Sequence, residues 1–286
     1  MSGTGENDAQ RLSELRNRID AIDAEMHRLL MARGAVIDEL IHTKRTERPG
    51  AAFRPGREAD MMRRLVARHK GVLPLTTVEH LWREIITTFT RMQARFDVAF
   101  DASHEAQRMQ DVARFTFGFS VNLLPLPSPA AVVAHVAASG DLGLVACAAG
   151  PQAGAWWRGL ARPSAPRIMA LLPHIGVAER PADLPAFVIS PPLSDPTPPE
   201  IRLHAVSAKA TYQPAGDSVV LASVEEDGRR EMLVAVPAAR DAATLAAEAM
   251  GRIEAVSEIG GIARGITIDG AASLLYQKPR KAEENP

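Results

Sequence analysis

The sequence predicts an α plus α/β protein, in which an all-helical N-terminal region with one long first helix is followed by a reduced α/β extension. Three observations predict it. Leu12, Leu15, Ile19, Ile22, Met26 and Leu29 recur in alternating steps of three and four. That is the heptad seam of a helix packed lengthwise against another helix. From Phe96 onwards the texture changes, and short continuously apolar runs such as FDVAF and GLVACAAG alternate with a helical pattern. Buried strands alternating with helices indicate α/β units. The run SPPLSDPTPPE (190–200) then forms a proline-rich linker. The expected divisions are a helical region at 1–96, an α/β region at 97–192, and a second α/β region of unassigned role at 193–286.

Composition narrows the function classes. With 286 residues, 46% of them hydrophobic and 23% charged, the chain is long enough for two or three ordinary globular domains. The aromatic share of 5% argues against a base-stacking nucleic-acid surface. Net charge is −1, with a mild positive excess in the helical third and a negative excess beyond it, which suits a small acidic ligand better than a polyanion. The single cysteine, Cys147, has no partner for an internal disulfide, so a reducing, cytoplasmic setting is expected. Cys147 reads as a buried small hydrophobe ahead of a catalytic thiol. The polar start MSGTGENDAQ is no signal peptide, and no apolar stretch approaches the roughly 20 residues that span a bilayer.

Residues 1–8 are expected to be disordered, with Asp8 capping a helix over about 9–46. RPGAAFRPG (48–56) carries two Pro-Gly pairs and is expected to be a loop. A second helix over about 57–69 presents Met61, Met62, Leu65 and Val66. Thr76 and Glu79 have capping-box spacing for a third helix, with an apolar stripe of Val78, Leu81, Ile85, Phe89 and Met92. Strands are expected at 96–100 and near 115–125, a helix at about 128–139 opened by Ser128 and Pro129, and a buried strand in LGLVACAA. RIMALLPHIG and PAFVIS supply further strand candidates. Beyond the linker, RLHAVSAKA, SVVLASVEE and REMLVAVP read as strands, the latter two joined by an Asp227-Gly228 turn. DAATLAAEAMGRIEAV reads as a helix, RGITIDG as a strand, and KPRKAEENP as a mobile tail.

The chemistry concentrates in the helices. Continuing the seam past Leu29 places Arg33 where a buried leucine belongs, and burying a guanidinium costs several kcal/mol unless an anion meets it. Lys44 lies eleven residues on, roughly the same face about 16 Å along. Taken alone, Arg33 is more often met by a glutamate of a neighbouring helix. The wider set of Arg16, Arg33, Lys44, Arg57, Glu58 and Gln93 favours an anionic ligand. Arg16 lies about 100° round the helix from Arg33, so within one copy of the helix the two do not serve one site.

Residues 11–93 resemble the all-helical, type II chorismate mutase domain. The resemblance is carried by RLSELRNRIDAIDAEMHRLLMARGAVIDELIHTKR, RPGREADMMRRL and LWREIITTFTRMQ. It implies a homodimer and rearrangement of the dianion chorismate to prephenate, with no metal or cofactor. Arg16 from the partner chain and Arg33 would bind the two carboxylates, with Arg57 close by. Lys44 and Gln93 would donate to the ether oxygen, and Glu58 would hold the substrate hydroxyl. Two positions depart from the family: Phe89 stands at a usually small polar position, and Arg54 where an acidic residue sometimes occurs.

The extension resembles the α/β part of the bifunctional chorismate mutase–prephenate dehydratases, in FDVAFDASHEAQ, ASGDLGLVACAAG and PAFVIS. Its chemical residues are missing: no Glu-Asn-Ser follows Val145, and Pro185-Ala186-Phe187 replaces the Thr-Arg-Phe triplet. The expectation is a degenerate, non-catalytic region. His104 reads as a surface or helix-start residue, and Trp156-Trp157 as packing ahead of a ligand anchor. The functional expectation is a cytoplasmic, homodimeric chorismate mutase of aromatic amino-acid biosynthesis, binding neither nucleic acid nor membrane, with a regulatory extension. The alternatives are a chorismate-binding regulator without turnover, and a pyruvate lyase acting on isochorismate.

Overall fold

The computed structural model describes residues 3–44, 53–193, 197–226 and 228–279. Its first element is a 42-residue helix, α1 (Gly3–Lys44). The helix begins before Asp8, so the expected cap lies inside it, and residues from Gly3 onward are ordered as helix. The stretch GTGENDAQ offers no proline or β-branched run to stop the helix. Asp8 also sits near its positive N-terminal end, where acidic residues are favourable. The chain divides into two compact units, Met1–Glu47 and Arg48–Pro286. The first consists of α1; the second holds everything that follows. Of the expected loop at 48–56, residues 48–52 lie outside the described residues.

In the second unit α2 spans Pro55–Arg68, with proline in its first turn, and α3 spans Leu75–Gln93. The capping box does not form: Pro74 is the N-cap of α3 and makes no side-chain cap bond. Glu79 is buried instead. The buried residues of α3 are Glu79, Arg83, Ile86, Thr87 and Thr90, while Leu81 and Met92 of the predicted apolar stripe are about half exposed. The helix thus turns a largely polar face inward, which apolar periodicity alone does not reveal.

The sheet is built from β1 (Val98–Asp101), β2 (Leu123–Leu126), β3 (Leu142–Ala146), β4 (Arg167–Leu172), β6 (Ala186–Ser190), β7 (Ile201–Lys209), β8 (Val219–Glu226), β9 (Arg229–Pro237) and β10 (Ile253–Ile262). Their order is β2-β1-β3-β6-β4-β10-β7-β9-β8. β5 (Ile175–Gly176), β11 (Gly265–Thr267) and β12 (Tyr276–Gln277) form a separate three-stranded sheet in the order β12-β11-β5. β2, β1 and β3 are parallel, joined through α4 (Ala106–Phe117) and α5 (Pro129–Ser139). α4 packs with Val98, Phe100, Leu142 and Leu144 on one face of the sheet. α5 packs with Ala99, Val145 and the Trp156–Trp157 pair on the other. As expected, α5 is capped by Ser128, whose Oγ accepts from the Ala131 N–H at 3.1 Å. The strand expected near 115–125 is shorter than predicted, because FTF completes α4 and only LLPL pairs with β1.

β7 to β10 are antiparallel neighbours in the order β10-β7-β9-β8, with α6 (Ala242–Glu248) linking β9 to β10. β9 and β10 both run antiparallel to β7, which lies between them. That is a split βαβ arrangement lacking its first helix. The helix predicted over 241–256 ends early because Met250 and Gly251 take positive φ, and IEAV passes into β10. The β8–β9 hairpin turns at Gly228, φ +74°, with Asp227 outside the described residues. The division expected at 192/193 separates β6 from β7, two strands of one sheet. Residues 194–196 of the linker and 280–286 of the tail lie outside the described residues.

One close approach joins the two parts of that sheet. β10 pairs with β4 through Gly260 and Ile168, and a Cβ on Gly260 would lie 2.2 Å from the Ile168 carbonyl oxygen. Because the obstacle is backbone, the strands themselves must move. Gly260→Ala is therefore expected to destabilise the chain by about 1–3 kcal/mol, in the range of overpacked cores. Urea denaturation measures this, and an unchanged midpoint would contradict the close approach.

Candidate functional site

α2 and α3 meet the α/β elements through buried charge. Glu58 lies in the first turn of α2, beside the buried Ala59, and is half-buried. Its Oε2 accepts from Arg83 Nη1 on α3 at 3.1 Å, and the Arg83 side chain is only 6% exposed. The two residues line a cavity of about 30 Å³ with Thr116, Phe117, Leu172 and His174, roughly the volume of one water molecule. His174, in the turn between β4 and β5, is 6% exposed, and its Nε2 has no hydrogen-bond partner among the described residues.

Burial dominates the titration of both groups. It raises the Glu58 pKa, against the opposing pull of Arg83. It lowers the His174 pKa to about 3, helped by the positive charges of Arg83 and Arg63. His174 is therefore a neutral imidazole facing a guanidinium that is committed to a carboxylate.

A second buried pair lies one turn earlier on α3. Arg180 Nη1 donates to Glu79 Oε2 at 3.1 Å, with side chains 4% and 2% exposed. The same Arg180 nitrogen donates to the Ile175 carbonyl, and its guanidinium lies over the Phe115 ring, 4.9 Å from the centroid. His80 Nδ1 lies 3.1 Å from the Phe115 carbonyl, with the two rings stacked at 5.0 Å. Sequence reasoning misses Arg83, His174 and Arg180, and reads Glu79 only as part of a capping box. The available signal was Glu79, Arg83, Thr87 and Thr90, polar residues repeating at helical spacing.

The residues expected from the sequence fall as follows. Arg16 is exposed and Arg33 half-buried on α1; Lys44 is its last residue, with a side chain outside the described set. Arg57 is exposed in the first turn of α2. Gln93 ends α3 and spends its amide on its own helix, Nε2 donating to the Phe89 carbonyl at 3.0 Å. Glu58 and Gln93 are not brought together. The partner of Glu58, Arg83, precedes Gln93 by ten residues, about 15 Å of helix. Elsewhere, His104 is exposed beside α4, and Trp156 and Trp157 are buried and meet edge to face at 6.0 Å. Burial raises the Cys147 thiol pKa, which suits a packed residue and not a nucleophile. Among the described residues, no helix is long and apolar enough to cross a membrane.

Comparison with known proteins fixes what the helices are. The sequence pattern of the family "Chorismate mutase type II" matches residues 15–94. Residues 15–94 are similar to a chorismate mutase type II domain. The "Bifunctional chorismate mutase/prephenate dehydratase" of Neisseria gonorrhoeae is 32% identical over 113 residues, 40% of this chain and 30% of that protein. The similarity is longer than the family match and so runs beyond the mutase domain. The chain covers under a third of that relative's length. No solved structure matches.

α3 is thus anchored to the α/β elements by Glu79 and Arg180, and His174 of the β4–β5 turn lines the cavity beside Glu58 and Arg83. His174 provides a test. Its folded pKa lies below the unfolded value of 6.5, so below about pH 6.5 the unfolded chain binds a proton that the native chain does not. Stability is expected to fall with decreasing pH, by up to about 1.4 kcal/mol per unit between roughly pH 6 and 4. Denaturation midpoints across that range check it. His174→Gln flattens the slope, leaving a residue from His204, whose pKa is also lowered by burial. An identical slope in the variant would contradict a buried neutral His174.

Proposed function

We propose that this chain is a chorismate mutase, an isomerase converting chorismate to prephenate in aromatic amino-acid biosynthesis. The observation that carries the reading is the family match over 15–94, a stretch that contains Arg16, Arg33, Lys44, Arg57, Glu58 and Gln93 together. The rearrangement is one pericyclic step, so the protein supplies orientation and charge stabilisation and no nucleophile. Arg16 and Arg33, with Arg57, suit the substrate carboxylates, since guanidinium binds carboxylate in bidentate fashion. Lys44 and Gln93 are assigned to the ether oxygen, which gains negative charge as its C–O bond breaks. Glu58 is assigned to the hydroxyl. Gln93 must then exchange its present acceptor, the Phe89 carbonyl, for the ligand.

A homodimer is part of the proposal, with Arg16 contributed across subunits. It is supported by the seam of α1, where Leu12, Ile19, Ile22, Met26 and Leu29 are each more than half exposed. Such a row of apolar side chains favours a second helix. The setting proposed is the cytoplasm. Functionally, 1–96 is assigned to the mutase, 97–192 to a degenerate dehydratase-like region, and 193–286 to regulation. The split βαβ arrangement of β7–β10 supports a separate role for the last part. A second reading, a chorismate-binding regulator without turnover, is favoured by the internal engagement of Glu58 and Gln93.

The test is prephenate formation by the purified chain beside Arg33→Ala and Lys44→Ala. Turnover is expected in the wild type and a loss of about 10²-fold or more in each variant, the scale of a lost oxyanion donor. Sedimentation of the same preparation should give a dimer. Chorismate binding without turnover would overturn the enzyme reading and leave the regulator.

A further inference from the structure

The α/β extension shares a buried cavity with one of the proposed mutase residues, Glu58. Arg83 takes Oε2 of Glu58 and no described residue donates to Oε1, so one carboxylate oxygen is anchored and the other is left to a ligand. A turn of the α/β region reaches the same place: His174 hydrogen-bonds the backbone of Ala59, next to Glu58, and lines the cavity with Glu58 and Arg83. We propose that Arg83 and His174 are positioning residues for Glu58, so that the β4–β5 turn of the extension sets the orientation and charge of a mutase carboxylate. The inference rests on the mutase reading and deepens it: the extension acts on the mutase chemistry through this turn.

The physical argument is one of competing demands on a buried carboxylate. Burial favours the protonated form of Glu58, and only the Arg83 guanidinium opposes it. The titratable groups lining the cavity are Glu58 from α2, Arg83 from α3 and His174 from the β4–β5 turn. Arg63 of α2 acts on His174 but is itself tied to Asp60, Glu200 and the Arg264 carbonyl. A neutral His174 leaves Arg83 no anionic alternative to Glu58, and it adds no second positive charge to repel the guanidinium. Displacing the turn would remove the His174 bond to Ala59, beside Glu58, and change how Glu58 meets a hydroxyl.

The experiment uses the full-length chain. The Glu58 carboxyl is followed by ¹³C NMR titration, assigned by its loss in Glu58→Gln, and chorismate turnover is measured across pH in the same proteins. In Arg83→Met the Glu58 midpoint is expected to move upward. kcat should fall about tenfold with a smaller change in KM, and the acidic limb of the rate profile should move with the NMR midpoint. Arg83→Lys keeps a charge at the site and should restore most of both; His174→Gln should move them in part. In a Glu58→Gln background neither substitution should change the pH profile further. An unmoved Glu58 midpoint in Arg83→Met, or effects of Arg83 and Glu58 that multiply independently, would overturn the inference. Intact turnover in Glu58→Gln with loss in Lys44→Ala would overturn it while leaving the mutase reading standing. A wild-type chain without turnover would remove that reading, and the inference with it, even if the NMR midpoint still responds to Arg83.

Discussion

The second unit depends on two ion pairs removed from water along one face of α3. Glu79 with Arg180 and Glu58 with Arg83 put four charges into an environment that penalises each of them by several kcal/mol. They persist because each is met at hydrogen-bonding distance and because Arg180 also satisfies a carbonyl and covers an aromatic ring. Such pairs add little net stability compared with well-packed apolar residues. Losing one partner, however, strands the other charge at a cost of about 3–5 kcal/mol. Their consequence is therefore specificity: α3 can sit in one rotation only, with Glu79 and Arg83 inward and Leu81 and Met92 outward.

That rotation marks the limit of what the sequence conveyed. The long first helix, its seam, the Pro-Gly break before α2, the Ser128 cap and the strands β3, β6, β7, β8 and β9 are all legible, because local periodicity and turn chemistry determine them. The orientation of α3 is not legible, because its partners Phe115, His174 and Arg180 lie up to a hundred residues further along the chain. For the same reason Glu79 reads as half of a capping box when it is half of a buried ion pair. The first residues of β10, Ile253 to Val256, read as the end of a helix because Ala-rich propensity runs smoothly into them. The turn at Met250 and Gly251 and the pairing with β7 decide otherwise.

The candidate site divides along similar lines. Residue types and spacing single out Arg16, Arg33, Lys44, Arg57, Glu58 and Gln93 as candidates, and the match of 15–94 to the type II family covers the same stretch. What spacing could not supply is the environment of each group. Glu58 is held by Arg83 and shares a cavity with His174, and Gln93 is hydrogen-bonded along its own helix. The α/β extension packs against α3, with Arg180 meeting Glu79 and Phe115 beneath its guanidinium.

α3 folds as part of the α/β body through Glu79–Arg180, and Glu58–Arg83 ties α2 to α3. Native-state hydrogen exchange on the full chain tests it most directly, since it reads the opening free energy of each element separately. The account predicts that amides of α3 between Glu79 and Thr87 exchange through the same opening as those of β3 and β6. Exchange of α2 and α3 through a distinctly smaller opening, with the sheet still protected, would contradict it.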